Sequence, residues 1–309
     1  MSLMLLASAL VFFAFPRMSQ SWRRMLGPRD WSRLSVAALL GGVVALEGAL
    51  GLIGSPTLFK LIGVPGLAIE CRRILGELAA GGSAVGWSSL LLAALLPVAL
   101  VAAWRRASST AARMRVEPWL GDHTGGEEVT LVVLPTNTAI AYSIGGPSPQ
   151  VVISQGMLEA LEPGQVNAVI HHELSHVRHR HTALVIGIHA LDRVLPIVRP
   201  STASLRTGLE RWADEDAAAS SSGARVAVHD ALLRVATSLS KEPAVAAFTS
   251  VTTFVDRLEA LESPPPSPTR ALRLSVHAAF SGVGIVSAAA LSGWIVDARM
   301  MLTMAGICR

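Results

Sequence analysis

Four apolar runs set the limits on what this chain can fold into: residues 1–15, about 36–54, 84–104 and about 278–296. A helix needs roughly 17–25 apolar residues to cross a bilayer. The last three runs have that length, and the first is marginal and would need local thinning or polar flanks. A signal peptide carries positive charge before its apolar run and a small-residue cleavage site after it. Here no charge precedes the first run and Arg17 follows it, so it reads as a retained span. About four membrane helices then leave residues 105 to about 270 as the only stretch able to build a water-soluble core, and that is an ordinary domain size.

Composition agrees. The chain is 51% hydrophobic and 16% charged with a mean hydropathy of +0.49. Soluble chains average about 25% charged, so an ordinary soluble enzyme is a poor fit, and disorder is excluded by the apolar content. Two cysteines in 309 residues exclude a disulfide scaffold. The net charge of +4 and pI near 9.8 would suggest nucleic acid only if the basic residues shared a soluble face. They sit beside the apolar runs instead, so membrane topology is the reading and no direct nucleic-acid contact is expected.

Arg17, Arg23, Arg24, Arg29 and Arg33 follow the first run; Arg105, Arg106, Arg113 and Arg115 follow the third; Arg270 and Arg273 precede the fourth. The second loop is weaker, with Lys60, Arg72 and Arg73 offset by Glu70 and Glu77. The positive-inside bias then puts the N-terminus outside and residues 105–277 in the cytoplasm of a multi-pass cell-membrane protein. Trp104 and Trp294 sit at span ends, where amphipathic rings prefer to lie. Cys71 and Cys308 fall on the outer side in this scheme, either paired or as two free thiols. Glu47, inside the second run, is expected to hydrogen-bond a neighbouring helix.

Within the soluble stretch, residues 129–134, 138–144 and 151–153 read as extended, with a turn at Gly145-Gly146-Pro147. Ser154 is placed to cap a helix carrying Met157, Leu158 and Leu161, and Pro163-Gly164 breaks the chain. Residues 165–188 read as one long helix, and 205–222 and 224–240 as two more. The Pro-rich run 263–268 reads as a stiff linker. The expected organisation is a span region at 1–104, a water-soluble domain at 105–262, a linker at 263–277, and a last span with its tail at 278–309.

The chemistry lies in His171-His172-Glu173-Leu174-Ser175-His176. His172 and His176 are four apart, so a helix presents both imidazoles on one face to one metal ion. Zinc takes imidazole nitrogens at about 2.0–2.1 Å. Glu173 projects beside the open metal position, where it can take a proton from water and pass it to a leaving amine. Two imidazoles leave zinc a protein ligand short. Glu210, in Leu209-Glu210-Arg211-Trp212-Ala213-Asp214, is the candidate third ligand on a later helix. Asp214 lies one turn on, on the same face, and can hold a ligand imidazole in the right tautomer. Glu215 and Asp216 read as surface charges. His171, His179 and His181 read as exposed or partly buried polar residues, one of them a candidate oxyanion stabiliser. Residues Ala139, Ile140, Ala141 and Tyr142 read as an extended edge that pairs with a substrate backbone, which needs little side-chain specificity. The hydroxyl of Tyr142, the only tyrosine, is a weaker candidate donor at the site.

The N-terminal spans, HHELSHVRHRH at 171–181, ERWADEDAAA at 210–219 and the terminal apolar run together resemble the BlaR/MecR-type membrane metallopeptidases. The likeness is to short forms that end soon after the last span. It covers nearly the whole chain in layout and is specific only at 139–181 and 210–218. It implies a mainly α chain with a cytoplasmic α+β gluzincin-type zinc domain and a small edge-strand sheet. It also implies one zinc ion on His172, His176 and Glu210, with Glu173 catalytic. The implied activity is regulated cleavage of a BlaI-like repressor or self-cleavage, with a second copy of the chain as a candidate partner. Full-length members carry a penicillin-binding sensor after the last span, and about a dozen residues follow Val296 here. Direct antibiotic sensing is therefore not expected. Two rivals stand beside this reading. One is a quality-control protease like the HtpX and CAAX membrane proteases, which share HExxH with Glu-x-x-Ala-Asp. The other is a metal-stapled membrane receptor or scaffold without turnover.

Overall fold

The computed structural model describes residues 2–17, 20–63, 69, 82–116, 122–124, 129–239, 251–263, 274, 278 and 281. Apart from single positions, the fourth apolar run, the Pro-rich linker, both cysteines and, of the second loop's charges, Glu70, Arg72, Arg73 and Glu77 lie outside these residues. So do Arg270, Arg273 and Trp294. The chain divides into two compact units.

The first unit comprises Met1–Met18, Arg33–Ala102 and Pro268–Arg309. Helix α1 (Ser2–Ala14) packs Leu5 against Ala49 and Leu52 of α2 (Gln20–Leu61). Helix α3 is Gly82–Arg113. Glycines let these apolar helices approach closely: a Cβ on Gly42 would fall 2.5 Å from the Phe13 ring, and one on Gly54 2.7 Å from Leu90. Two stretches, Met25–Leu61 and Ala84–Arg113, are long and apolar enough to cross a membrane, and Leu3–Arg17 is shorter. The Glu47 carboxylate keeps one oxygen buried with no hydrogen-bond partner among the described residues, so the expected bond to a neighbouring helix is not made through that atom.

The second unit comprises Ser19–Ser32 and Ala103–Ser267. Within α2, Gly27 sits at φ 73° before Pro28 and kinks the helix, since Pro disfavours helical backbone in the residue before it. A four-stranded sheet follows, β1 (Asp122–Thr124), β2 (Thr130–Leu134), β3 (Ala141–Ile144) and β4 (Gln150–Ser154), in spatial order β1-β2-β4-β3. β2 and β4 are parallel, and β3 pairs antiparallel with β4, which leaves β3 on an edge. β1 was not expected from the sequence. One sheet face buries Val132 and Val152 with Val116. The other buries Ile153 with Met157, Leu161 and Ala231.

Ser154 caps α4 (Gln155–Ala160) by accepting from the Met157 amide. Pro163 breaks one helix only to start the next, occupying the first turn of α5 (Pro163–Arg178), where its missing N–H costs nothing. The Gln165 side chain accepts from the Glu162 amide at that turn. The single helix expected over 165–188 is two helices. Arg180 adopts φ 55°, a left-handed conformation that ends α5 and turns the chain into α6 (His181–Val194). After a short 3-10 turn at Pro196–Val198 come α7 (Arg199–Ala218), α8 (Ala224–Leu239) and α9 (Val251–Glu262). Ala213, Ala217 and Ala218 are buried on α7, and small side chains there let it lie close to α5. Helix α9 had no signal in the sequence reading.

Candidate metal centre

Helix α5 presents His172 and His176 on one face, and α7 brings Glu210 to them. His172 Nε2 and His176 Nε2 are 3.1 Å apart. Glu210 Oε2 lies 3.5 Å from the first and Oε1 3.6 Å from the second. A tetrahedral ion with bonds of about 2.0–2.1 Å has edges of about 3.3 Å. Two imidazole nitrogens, and a carboxylate that turns one oxygen toward each of them at about that spacing, therefore fit zinc.

The surrounding bonds set which nitrogen is free. Asp214, 3% exposed, takes the Nδ1 proton of His172 at 3.0 Å and so turns Nε2 into the donor face. Arg257 of α9 grips the same carboxylate through Nε and Nη2, both at 2.7 Å, and reaches Glu210 through Nη1 at 3.2 Å. Burial pulls the His172 imidazolium down, but Asp214 and Glu210 override it and raise its pKa to about 10 without a metal. Burial raises the Asp214 carboxyl, and Arg257 more than offsets this, leaving it at about 2. Glu210 is held low by the same guanidinium against the same penalty. Burial lowers the His176 imidazolium. Arg257 was missed because it lies in a helix with no recognisable motif, and only the fold brings it beneath the site.

The turn at Arg180 brings His181 back beside His176, Nδ1 to Nδ1 at 2.8 Å. His181 is 1% exposed, so the expectation of an exposed or partly buried residue is corrected: the turn folds it under the helix it follows. Burial, with His176 and His179 nearby, drops its pKa to about 3, so it stays neutral. For His176 to offer Nε2 to a metal, its Nδ1–H donates to His181 Nδ1 and the His181 proton sits on Nε2. That Nε2 is buried with no partner among the described residues. His179 bonds Asp216 at 2.8 Å and stacks on Trp212 with ring centroids 4.4 Å apart. Asp216 also accepts from Ser175 at 2.7 Å, and Glu215 pairs with Arg225 at 2.7 Å. These two acids therefore tie helices together rather than standing as free surface charges.

Two cavities meet at the site. One of about 810 Å³ is lined by Glu173, His172, His176 and Glu210 together with Ala141, Tyr142 and Ser143 of β3. The other, about 190 Å³, runs from Glu173 and Arg257 into the apolar residues Val169, Val228, Ala231 and Leu232. Of the expected substrate edge, Ala141 and Tyr142 face the larger cavity. Ile140 is tied through both its backbone groups to Ser154, and Ala139 packs on the core beneath Ile153. The Tyr142 hydroxyl donates to the Met114 carbonyl at 3.1 Å, which draws it away from the metal ligands.

Residues 123–200 match the model of Peptidase family M48. A 61-residue stretch is 33% identical to "Protease HtpX homolog" of Thermoplasma acidophilum, covering 20% of this chain and 19% of that protein. The chain thus spans about a fifth of the length of that curated relative. No solved structure matches. The matches do not reach the BlaR/MecR-type group that the motif layout resembles. What they show is coarser: residues 123–200 are similar to Peptidase family M48, and the matched segment includes the helix that bears His172, Glu173 and His176.

Proposed function

We propose that the chain is a membrane-associated zinc endopeptidase working at the junction of the two cavities. The observation that carries this is that His172, His176 and Glu210 each offer a donor atom, all within 4.8 Å of one another, with Glu173 lining both cavities beside them. Zinc held by His172, His176 and Glu210 supplies Lewis acidity for the scissile carbonyl and lowers the pKa of water. Glu173 takes the proton from the attacking water and returns it to the departing amine. Asp214 fixes the His172 ring, and Arg257 fixes Asp214. The outer edge of β3 at Ala141 and Tyr142 pairs with an extended substrate backbone. The smaller cavity takes one apolar side chain. A scaffold without turnover has no use for Glu173 at this junction.

Two substrate readings remain on the same site. Broad turnover of membrane proteins is supported by the similarity to the HtpX homologue. Cleavage of a BlaI-like repressor, or self-cleavage, is supported by the layout of spans and motifs. The Arg-rich flanks support a multi-pass arrangement with an outer N-terminus and a cytoplasmic active site. Proteomic comparison of cells carrying wild type and Glu173→Gln tests both. Stabilisation of many membrane proteins supports quality control, and stabilisation of a single DNA-binding protein supports the repressor. An unchanged proteome, with Glu173→Gln as active as wild type on peptide, overturns the enzyme reading.

A further inference from the structure

The larger cavity carries a charge pattern that the zinc chemistry does not use. Every residue lining it belongs to the second unit. The metal ligands and β3 stand at one end. Away from them the wall carries three guanidinium groups: Arg106 of α3, Arg193 of α6 and Arg199 of α7. All three residues are exposed, and none has a carboxylate partner among the described residues. Of the acids that line the cavity, Glu173 and Glu210 stand at the metal site. The third, Asp192, is occupied: one oxygen accepts from Thr202 and the other takes Arg206 at 2.8 Å. Arg199 is also anchored, its Nε donating to the Asp192 carbonyl at 3.4 Å, and neither of its Nη groups has a partner among the described residues.

Two helices give the reach of this basic wall independently. Glu210 and Arg199 are eleven residues apart on α7, about 16 Å at 1.5 Å per residue. His181, which touches the ligand His176, and Arg193 are twelve apart on α6, about 18 Å. An extended chain advances about 3.3 Å per residue, so a peptide held at the metal reaches Arg193 and Arg199 after about five residues. Arg106 meets it sooner. Arg115 donates to the Gly145 carbonyl at 3.0 Å, and the Gly145 amide donates to Thr182 at 3.2 Å. Further along, Gly187 of α6 lies against Trp104, with the ring 3.2 Å from where a Cβ would stand. The end of α3 therefore runs antiparallel to α6, and Arg106 stands on the metal side of Trp104, about three residues from the cut on the same scale.

The wall near Arg106 is apolar, with Ala107, Ala111, Val185 and Ile186. It offers a passing peptide no polar side chain to compete with the guanidinium groups. A guanidinium pairs with a carboxylate through two parallel hydrogen bonds. Three such groups of one sign along a cleft draw in acidic chains and repel basic ones.

We propose that Arg106, Arg193 and Arg199 select polypeptide substrates that carry an acidic segment about three to five residues from the scissile bond, a spacing set by the rise of an extended chain. The occupant is a peptide because the three groups share one cavity with the metal ligands and the β3 edge, so a chain lying across that edge runs on past them. The inference deepens the endopeptidase reading of the metal site and rests on it.

The test uses the zinc-loaded full chain in neutral detergent. A mixed peptide library is digested and the cut sites are read by mass spectrometry. One cut sequence is then remade as internally quenched peptides with Glu, Gln or Lys at the positions three to five residues from the cut. The proposal predicts Asp and Glu enriched there on one side of the cut. It also predicts kcat/KM about 3–30-fold higher for the Glu than for the Gln peptide at low salt, mostly through KM, with the ratio shrinking as salt is raised. Arg193→Glu with Arg199→Glu should invert the order and favour the Lys peptide, which loss of folded protein would not do. Equal rates on the Glu and Gln peptides overturn the proposal and leave the peptidase reading standing. A Glu preference that the charge reversal leaves unchanged also overturns it. So does a preference that vanishes when phosphatidylglycerol is added to the micelles, since headgroups then occupy the arginines. If no library peptide is cut, or Glu173→Gln cuts as wild type does, the peptidase reading itself fails and the proposal falls with it.

Discussion

Removing the guanidinium beneath the metal ligands tests the electrostatics of the site most sharply. In Arg257→Met, Asp214 loses both of its 2.7 Å charge-assisted bonds and Glu210 loses its 3.2 Å partner. Two carboxylates then share a buried space with the imidazoles of His172 and His176 and no guanidinium. Breaking a buried ion pair by removing one partner costs about 3–5 kcal/mol. At about 2–4 °C per kcal/mol for a unit of this size, the expected loss in melting temperature is about 6–20 °C for the metal-free protein. Zinc neutralises part of the stranded charge, so the loss shrinks when the protein is saturated with zinc. The pH dependence has a definite sign. In wild type the stability from the depressed Asp214 pKa is present above its unfolded value of about 3.9 and lost as pH falls toward about 2. In the variant, burial without the guanidinium favours the protonated carboxyl, so the gap between the proteins narrows as pH drops from 6 to 4. Tryptophan-fluorescence melting in detergent, with and without zinc, reads all three effects. A variant that melts within a degree of wild type at neutral pH, metal-free, would refute the reasoning.

Other expectations follow from the same geometry. The raised His172 pKa means that zinc uptake expels one proton below pH 10, so apparent affinity should rise about tenfold per pH unit from 7 to 9; chelator competition would show this, and a flat profile would contradict it. His181→Phe removes the acceptor for the His176 Nδ1–H and should weaken zinc binding about 10–100-fold, with recovery in His181→Asp, as measured by the same competition. Ala231→Leu narrows the smaller cavity and should lower kcat/KM for peptides with a bulky apolar side chain there by about 10–200-fold relative to alanine-bearing peptides; an equal loss on both would mean the cavity does not read that side chain.

How far the sequence carried depends on which physical signal was local. The spacing of His172 and His176 is a property of one helix, so it could be read directly. Glu210 and Asp214 could be paired with it because they lie one turn apart on a helix with buried alanines. The edge strand was visible as alternation, although its cavity-lining part is Ala141–Ser143 rather than Ala139–Tyr142. The failures are tertiary. Arg180 has no composition that announces a left-handed turn, so one helix was expected where two occur, and His181 was not seen to return to His176. Arg257 reaches the site from a helix 43 residues beyond Asp214. Asp216 looked like a solvated charge until Ser175 and His179 closed on it.

The most direct measurement of the central claim pairs metal analysis with turnover in Glu173→Gln. X-ray absorption on the zinc-loaded variant should give one zinc per chain, with two imidazoles and one carboxylate from His172, His176 and Glu210. Peptide cleavage should fall by about 10²–10⁴-fold. A variant that holds zinc in that sphere and still cuts peptide at the wild-type rate would contradict the role of Glu173, and a sphere lacking either imidazole would contradict the site itself.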